Sequence, residues 1–323
     1  MSADRVLRDV RFPGGAGTLA GSLGVPEESG GASPGVVLVG GSGSSDRHND
    51  TYFPPIRRHL LSTGLAVLSY DKRGVGESSG DWRAATMDDL AADASAALDF
   101  LRAQPEVRAG AVGLFGHSEG GWVALRAGTA RDDVPWVVTN SCPGTTPAVQ
   151  ERYALANSLR ADAITQQDID STLVLYDRLA EAGRRDAGFV EATQLVDSAG
   201  RPSGWGYYWA EMDERLWEFV KHKQDHDPVR DAVRLRCPHL AIFGGADPLV
   251  PVADSVRLFG ATACHTDRHR RATLTVEVFP GADHRIQSHG GTHFAPGYLS
   301  GLTRWIKDRN AACRGVGRGP AGR

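Results

Sequence analysis

The sequence predicts an α/β fold: a mostly parallel, doubly wound sheet with a helical insertion. Three observations lead there. Six short apolar runs, at residues 36–39, 65–70, 111–115, 134–140, 240–243 and 274–279, are continuous rather than alternating, as in strands covered by helices on both faces. Helical periodicity fills the gaps between most of them, and strand–helix alternation with short connections is the doubly wound pattern. One stretch, from about 143 to 236, carries no strand pattern.

Taken in order, the first thirty or so residues read as an antiparallel pair at the sheet edge. The run 36–39 leads into the glycine-rich loop GGSGSSDRHND, and the run 65–70 into DKRGVGESSG. Residues 87–104 carry Leu90, Ala94, Leu98 and Leu101 at helical spacing, with Thr86 as N-cap. Residues 120–130 form a helix directly after the run 111–115. In the insertion, Thr165 with Asp168 resembles a capping box, and Ile169, Leu173, Tyr176 and Leu179 share one helix face. Further on, GWGYYWAEMDERLWEFV packs six aromatics into 17 residues. No low-complexity linker sets this region apart, so it reads as a cap over the sheet. A helix over 293–306 closes the chain. The resulting division is a core of 1–142 and 237–310, a cap of 143–236, and a frayed tail of 311–323.

Composition narrows the function. With 323 residues, 41% hydrophobic and 23% charged, the chain buries a large core. A net charge of −3 favours neither nucleic acid nor an anionic membrane. The basic tail RNAACRGVGRGPAGR reads as a frayed terminus rather than a nucleic-acid arm. Cys142, Cys237, Cys264 and Cys313 lie far apart without Cys-x-x-Cys spacing, as reduced cytosolic thiols do. The start lacks the apolar core of a secretory signal, and no apolar run reaches the ~20 residues of a membrane span. A cytoplasmic protein is expected.

The chemistry centres on AVGLFGHSEGG, residues 111–121. Gly-x-Ser-x-Gly occurs three times, around Ser33, Ser78 and Ser118, so the motif alone decides nothing. Context does. Ligands in open parallel sheets bind at the carboxyl ends of strands. Only Ser118 stands on a direct strand-to-helix turn, where Gly116 and Gly120 allow the tight bend that projects the serine above the sheet. Ser33 precedes Pro34 in a surface loop, and Ser78 leads into another loop. A serine hydroxyl needs a base, and the base an orienting group. The strand 240–243 is followed by Asp247 in GGADPLVP, and 274–279 by His284 in PGADHRI. Both fall at the same sheet end as Ser118. Asp247 also suits loop capping. Asp283 adjoins His284 and points away from its ring, and Asp254 falls on the next helix. His289 and His293 read as surface histidines rather than a metal pair.

With Ser118, Asp247 and His284 in that chain order, the sequence resembles the α/β-hydrolase superfamily over residues 10–310. Within it, the chain is most similar to bacterial serine esterases and acyl-peptidase-like hydrolases with a helical cap. VVLVGGSGSSDRHND, VLSYDKRGVGESSG, GLFGHSEGG, IFGGADPLVP and FPGADHRI carry the resemblance. It implies an oxyanion hole made by the N–H groups of Glu119 and Ser42. Relatives often read His-Gly-x where this chain reads Gly40-Gly41-Ser42. Asp71, Arg73, Asp46 and Arg47 then brace the surrounding loops. The implied activity is serine hydrolysis of a carboxylic ester on a small-molecule acyl substrate, with no metal or organic cofactor. Thioesterase, lactonase or acyltransferase action uses the same machinery, and some members of the fold only bind ligands. Candidate substrate contacts are Gly41 and His117 beside the nucleophile and Trp205 and Tyr208 in the cap. The cap aromatics serve either as pocket walls or as the cap's own core.

Overall fold

The computed structural model describes residues 7–26, 31–200, 205–288 and 293–315. The chain opens with the antiparallel pair β1 (Leu7–Gly14) and β2 (Gly17–Gly24). Strands and helices then alternate: β3 (Ser33–Val39), α1 (Phe53–Ser62), β4 (Ala66–Tyr70), α2 (Met87–Arg102), β5 (Val107–His117), α3 (Glu119–Thr129) and β6 (Val137–Asn140). Helices without an intervening strand follow among the described residues: α4 (Pro147–Ala161), α5 (Gln166–Arg184), α6 (Phe189–Ser198), α7 (Gly206–Trp209), α8 (Glu214–Lys223) and α9 (Pro228–Arg234). The chain returns to the sheet with β7 (His239–Gly244), α10 (Val252–Thr262), β8 (Leu274–Phe279) and α11 (Tyr298–Gly315).

One eight-stranded sheet results, in the order β1-β2-β4-β3-β5-β6-β7-β8. Among the described strands, only the β1–β2 and β2–β4 pairings are antiparallel. The expected doubly wound sheet is therefore present. Its apolar runs are continuous because both faces are covered. Val37 and Val39 pack under α2 and α3 with Leu90, Leu98 and Leu125, whereas Val36 and Leu38 pack under α1 and α11 with Ile56, Leu60 and Leu302. Each fully buried side chain of this size is worth about 1.5–3 kcal/mol. The chain reverses direction across the sheet at β3, which has β4 on one side and β5 on the other. A crevice opens at such a switch point, outside the strands' carboxyl ends.

Local chemistry sets most boundaries. Thr86 caps α2 in a reciprocal box with Asp89, and Thr165 caps α5 through the Asp168 N–H. β6 starts at Val137 rather than at residue 134, because Pro135 has no N–H to give a ladder. The closing helix starts at Tyr298, not at residue 293. Phe294 bridges back to Gln287, and a turn through Pro296 and Gly297 (φ 89°) precedes the helix. α11 then runs to Gly315, so residues 311–315 are helical where a frayed tail was expected. Residues 316–323 and His289 lie outside the described residues.

α4 to α8 build a core of their own, with Leu159, Ile169, Leu173, Tyr176, Leu179, Trp205 and Trp217 buried together. α9 packs instead against the sheet layer: Ala232 and Leu235 join the cluster under α3, and Arg126 bonds Asp231 at 3.1 Å. Among the described residues no helix is long and apolar enough to cross a membrane.

Candidate active site

Ser118 stands between β5 and α3 with φ 54° and ψ −124°, in backbone space that costs a non-glycine residue about 1–3 kcal/mol. The turn is over-determined around it. The Ser118 N–H donates to Asn140 O at 2.9 Å, and its carbonyl accepts from the Gly121 N–H at 2.8 Å. A Cβ on Gly116 would run into the Gly120 carbonyl, and one on Gly120 into the carbonyls of Val39 and Gly40. The flanking glycines are thus demanded by backbone contact. Ser118 is partly exposed, while His117 and Glu119 on either side are buried. The other two motif serines are structural. Ser33 is buried at the start of β3, and the Ser78 hydroxyl donates to Asp71 O at 2.7 Å and accepts from the Ala20 N–H at 2.9 Å.

Asp247 and His284 follow β7 and β8, and the structure joins them. His284 Nδ1 lies 2.7 Å from Asp247 Oδ2. The other carboxylate oxygen, Oδ1, accepts from the N–H groups of Leu249 at 2.8 Å and Val250 at 3.1 Å. Asp247 therefore caps its loop and orients the imidazole at once, one role per oxygen. Asp283 caps the next loop through the N–H groups of Arg285 and Gln287, and Asp254 pairs with Arg257 on α10.

The loop after β3 lies against the nucleophile. A Cβ on Gly41 would sit 3.5 Å from both Ser118 Cβ and His117 Nδ1. Asn49 holds this loop: its Oδ1 accepts from the Gly41 N–H at 3.2 Å and the Ser45 hydroxyl at 2.9 Å, and its Nδ2 meets His117 Nδ1 at 2.9 Å. His117 is thereby fixed as a neutral ring, because its Nε2–H faces the His284 carbonyl at 3.3 Å. Burial, then the neighbouring His284 and Arg285, push its pKa well below the ordinary histidine value. His117 was expected to contact substrate. With 5% exposure and its ring 4.5 Å from that of Tyr52, it instead supports the backbone of His284.

The bracing residues behave as the resemblance implies. Arg47 bonds Asp71 at 2.7 Å, Arg73 bonds Asp93 at 2.7 Å, and Asp46 accepts from the His48 N–H.

Glu119 holds what sequence reasoning missed. It begins α3, so its own N–H has no intrahelical acceptor. Its side chain is buried to 1% exposure between two ammonium groups, Lys72 Nζ at 2.8 Å and Lys223 Nζ at 2.9 Å. Burial alone would push this carboxyl up, but Lys223 and Lys72 outweigh it and hold its pKa at about 2. The clue in the sequence was the glutamate itself: a carboxylate in a buried turn requires a cationic partner.

A cavity of about 340 Å³ lies between the helical layer and the loop after β3. Its walls include Ser42, Trp82, Glu151, Tyr176, Tyr208, Phe219 and Lys223, but not Ser118. It meets the loop of the candidate oxyanion hole at Ser42. Tyr208 lines it as expected. Trp205 does not: at 2% exposure it stacks on Trp209 at 6.0 Å, inside the core of the layer, so an indole counted as a substrate contact is packing.

The switch-point sheet and the strained serine turn define an α/β hydrolase. The chain belongs to the serine aminopeptidase S33 family, whose family model matches residues 35–288. It is similar to the mitochondrial palmitoyl-protein thioesterase ABHD10 of Bos taurus, at 23% identity over 257 residues, covering 80% of this chain and 69% of that protein. Among solved structures it resembles the Pyrococcus furiosus esterase PF2001, with TM-score 0.61 and 17% identity, covering 97% of this chain and 94% of that one. It also resembles the α/β hydrolase GrgF from Penicillium sp. sh18, with TM-score 0.63 and 18% identity, covering 94% and 99%.

Proposed function

We propose that the protein is a serine hydrolase that cleaves a carboxylic ester through an acyl-enzyme on Ser118. The observation that carries this reading is the 2.7 Å bond between His284 Nδ1 and Asp247 Oδ2 at the same sheet end as the strained turn of Ser118. With its proton on Nδ1, the imidazole offers a lone pair on Nε2. Nε2 takes the Ser118 proton as Oγ adds to the acyl carbon, and Asp247 stabilises the imidazolium. The N–H groups of Ser42 and Glu119 receive the oxyanion, each worth about 10²–10³ in rate. The alcohol leaves with the proton from His284. Water, deprotonated by the same histidine, then releases the acid and restores Ser118.

A cavity of about 340 Å³ is near the lower end of the roughly 300–1,000 Å³ usual for small-molecule sites, which favours a small or medium acyl or alcohol group. Thioester cleavage is the second reading, supported by the similarity to a palmitoyl-protein thioesterase. The chemistry is identical apart from a thiolate leaving group.

Intact mass after fluorophosphonate treatment tests the reading. One adduct is expected on the wild type and none on Ser118→Ala. A folded wild type that takes up no adduct would overturn it. A panel of p-nitrophenyl esters and the matching acyl thioesters then separates the two substrate classes by kcat/KM.

A further inference from the structure

We propose that Lys72 and Lys223 are positioning residues for the oxyanion hole, and that the helical layer takes part in assembling the hole through Lys223. The inference rests on the reading of Ser42 and Glu119 as oxyanion donors. The Gly41 carbonyl and the Ser42 N–H belong to one planar peptide unit, so fixing one fixes the other. Lys72 Nζ donates to Gly41 O at 2.6 Å. A charged donor on that carbonyl sets the peptide plane and polarises its N–H toward stronger donation.

The same ammonium reaches the second donor residue, through Glu119 Oε1 at 2.8 Å. One cation thus ties together the two segments that meet at the developing oxyanion, the loop after β3 and the first residue of α3. The free oxygen of Glu119 is taken by Lys223 at 2.9 Å, and Lys223 is the last residue of α8. Glu119, Lys72 and Lys223 are 1%, 8% and 9% exposed, so water does not screen the group. The Lys223 ammonium also lies 4.5 Å from the centre of the Phe219 ring, a cation–π contact with another side chain of the cavity wall.

The charges also point the right way. Two lysines face one carboxylate; burial pushes the Lys72 pKa down while Glu119 opposes that shift, and with both amines protonated positive charge stands behind the two N–H donors where negative charge develops in the reaction. The cavity wall also carries Glu151, whose pKa burial pushes up, and Glu211, which is exposed to solvent. If the layer lifts, Glu119 loses Lys223 and draws harder on Lys72, at the expense of the Gly41 carbonyl. Closure of the layer and completion of the hole are then one event.

The test compares full-length wild type, Lys72→Met, Lys223→Met and Glu119→Gln, the last of which keeps the N–H donor. kcat and KM are measured with p-nitrophenyl butyrate, Ki with a trifluoromethyl ketone whose adduct on Ser118 carries an oxyanion, and Tm by calorimetry. Lys72→Met is expected to lower kcat about 10²-fold with KM within threefold, and to raise Ki by a similar factor. Lys223→Met and Glu119→Gln are expected to lose about tenfold in both readouts, and Lys223→Arg to recover most of the loss. Should Lys72→Met fail to fold, the other two variants carry the test. Folded variants whose kcat and Ki stay within twofold of wild type, whatever their Tm, would overturn the proposal, as would a fall in kcat with Ki unchanged. A wild type that neither labels nor turns over would instead sink the hydrolase reading itself.

Discussion

Along the carboxyl edge of the sheet, Ser118, Asp247 and His284 are placed by backbone. Each sits within a few residues of a strand whose register is fixed by its neighbours, β5 on β6, β6 on β7 and β7 on β8. In the helical layer above, Tyr208, Phe219 and Lys223 are placed by side chains. Tyr208 packs edge-on to Tyr176 at 5.2 Å, Phe219 to Trp82 at 5.2 Å, and Trp217 anchors its indole N–H on Ala187 O at 2.8 Å. Hydrogen-bonded ladders resist substitution because no side chain makes them; an aromatic cluster changes shape with each residue replaced. The edge therefore suits chemistry that tolerates little displacement, and the layer suits selectivity.

The sharpest way to expose this difference is to remove chemistry from the edge without moving it. Asp247→Asn keeps an Oδ1 acceptor for Leu249 and Val250 but presents an amide N–H to His284, which favours the wrong tautomer. A loss in kcat of about 10⁴-fold is expected, with an unchanged circular dichroism spectrum and Tm. A loss under tenfold would break the assignment of Asp247 as orienting group.

Damage to the layer should act on stability first. Trp217→Ala empties a fully buried indole site and removes its hydrogen bond, for a cost of about 3–5 kcal/mol. We expect earlier or biphasic melting, with hydrolysis of a small acetyl ester kept within about tenfold at low temperature. Complete loss of acetyl ester turnover in the folded variant would mean that the edge depends on the layer throughout.

Acid should act on the sheet side. His117 and His239 are buried at 5% and 0% exposure, and burial lowers both pKa values, that of His239 to about 3. Folded pKa values below the unfolded value mean that the unfolded chain binds more protons, so stability falls as pH drops below about 6.5. At its unfolded pKa each histidine has only half of the limiting slope of about 1.4 kcal/mol per pH unit, so each loses about 1 kcal/mol and urea unfolding should show a loss of roughly 2 kcal/mol between pH 6.5 and 5.5. His239→Asn should flatten that slope by about half.

The smallest effect should fall on selectivity. Tyr208→Ala enlarges the cavity wall, and kcat/KM across acetyl to octanoyl p-nitrophenyl esters should shift toward longer chains by about tenfold. A uniform drop for every chain length would show that Tyr208 supports the layer rather than faces substrate.

The same contrast explains what could be read from sequence. Strands, the serine turn and the positions of Asp247 and His284 each follow from a handful of adjacent residues, so local patterns reach them. The Lys223–Glu119 pair spans 104 positions and has no local pattern. Trp205 and Tyr208 stand three residues apart in one aromatic run, yet one is core and the other wall, because composition records the presence of rings and not their direction. The late start of α11 is legible in Pro296 and Gly297, a turn pair that a helix over 293–306 would have to run through.

The helices described between β6 and β7 leave and re-enter the sheet at neighbouring strands, after Asn140 of β6 and at His239 of β7. β6 and β7 are parallel, so the segment is a crossover whose two ends, at Asn140 and His239, are separated by one short strand length and one inter-strand spacing of about 4.8 Å. Any segment that spans this crossover joins the same two strand ends, and added length costs only logarithmically in closure entropy. For a lineage, this makes the part above the sheet exchangeable in bulk, by insertion, deletion or recombination, while the register below is inherited intact. Lys223 is the exception: a replacement layer must also return a cation to Glu119, which limits which segments can be accepted.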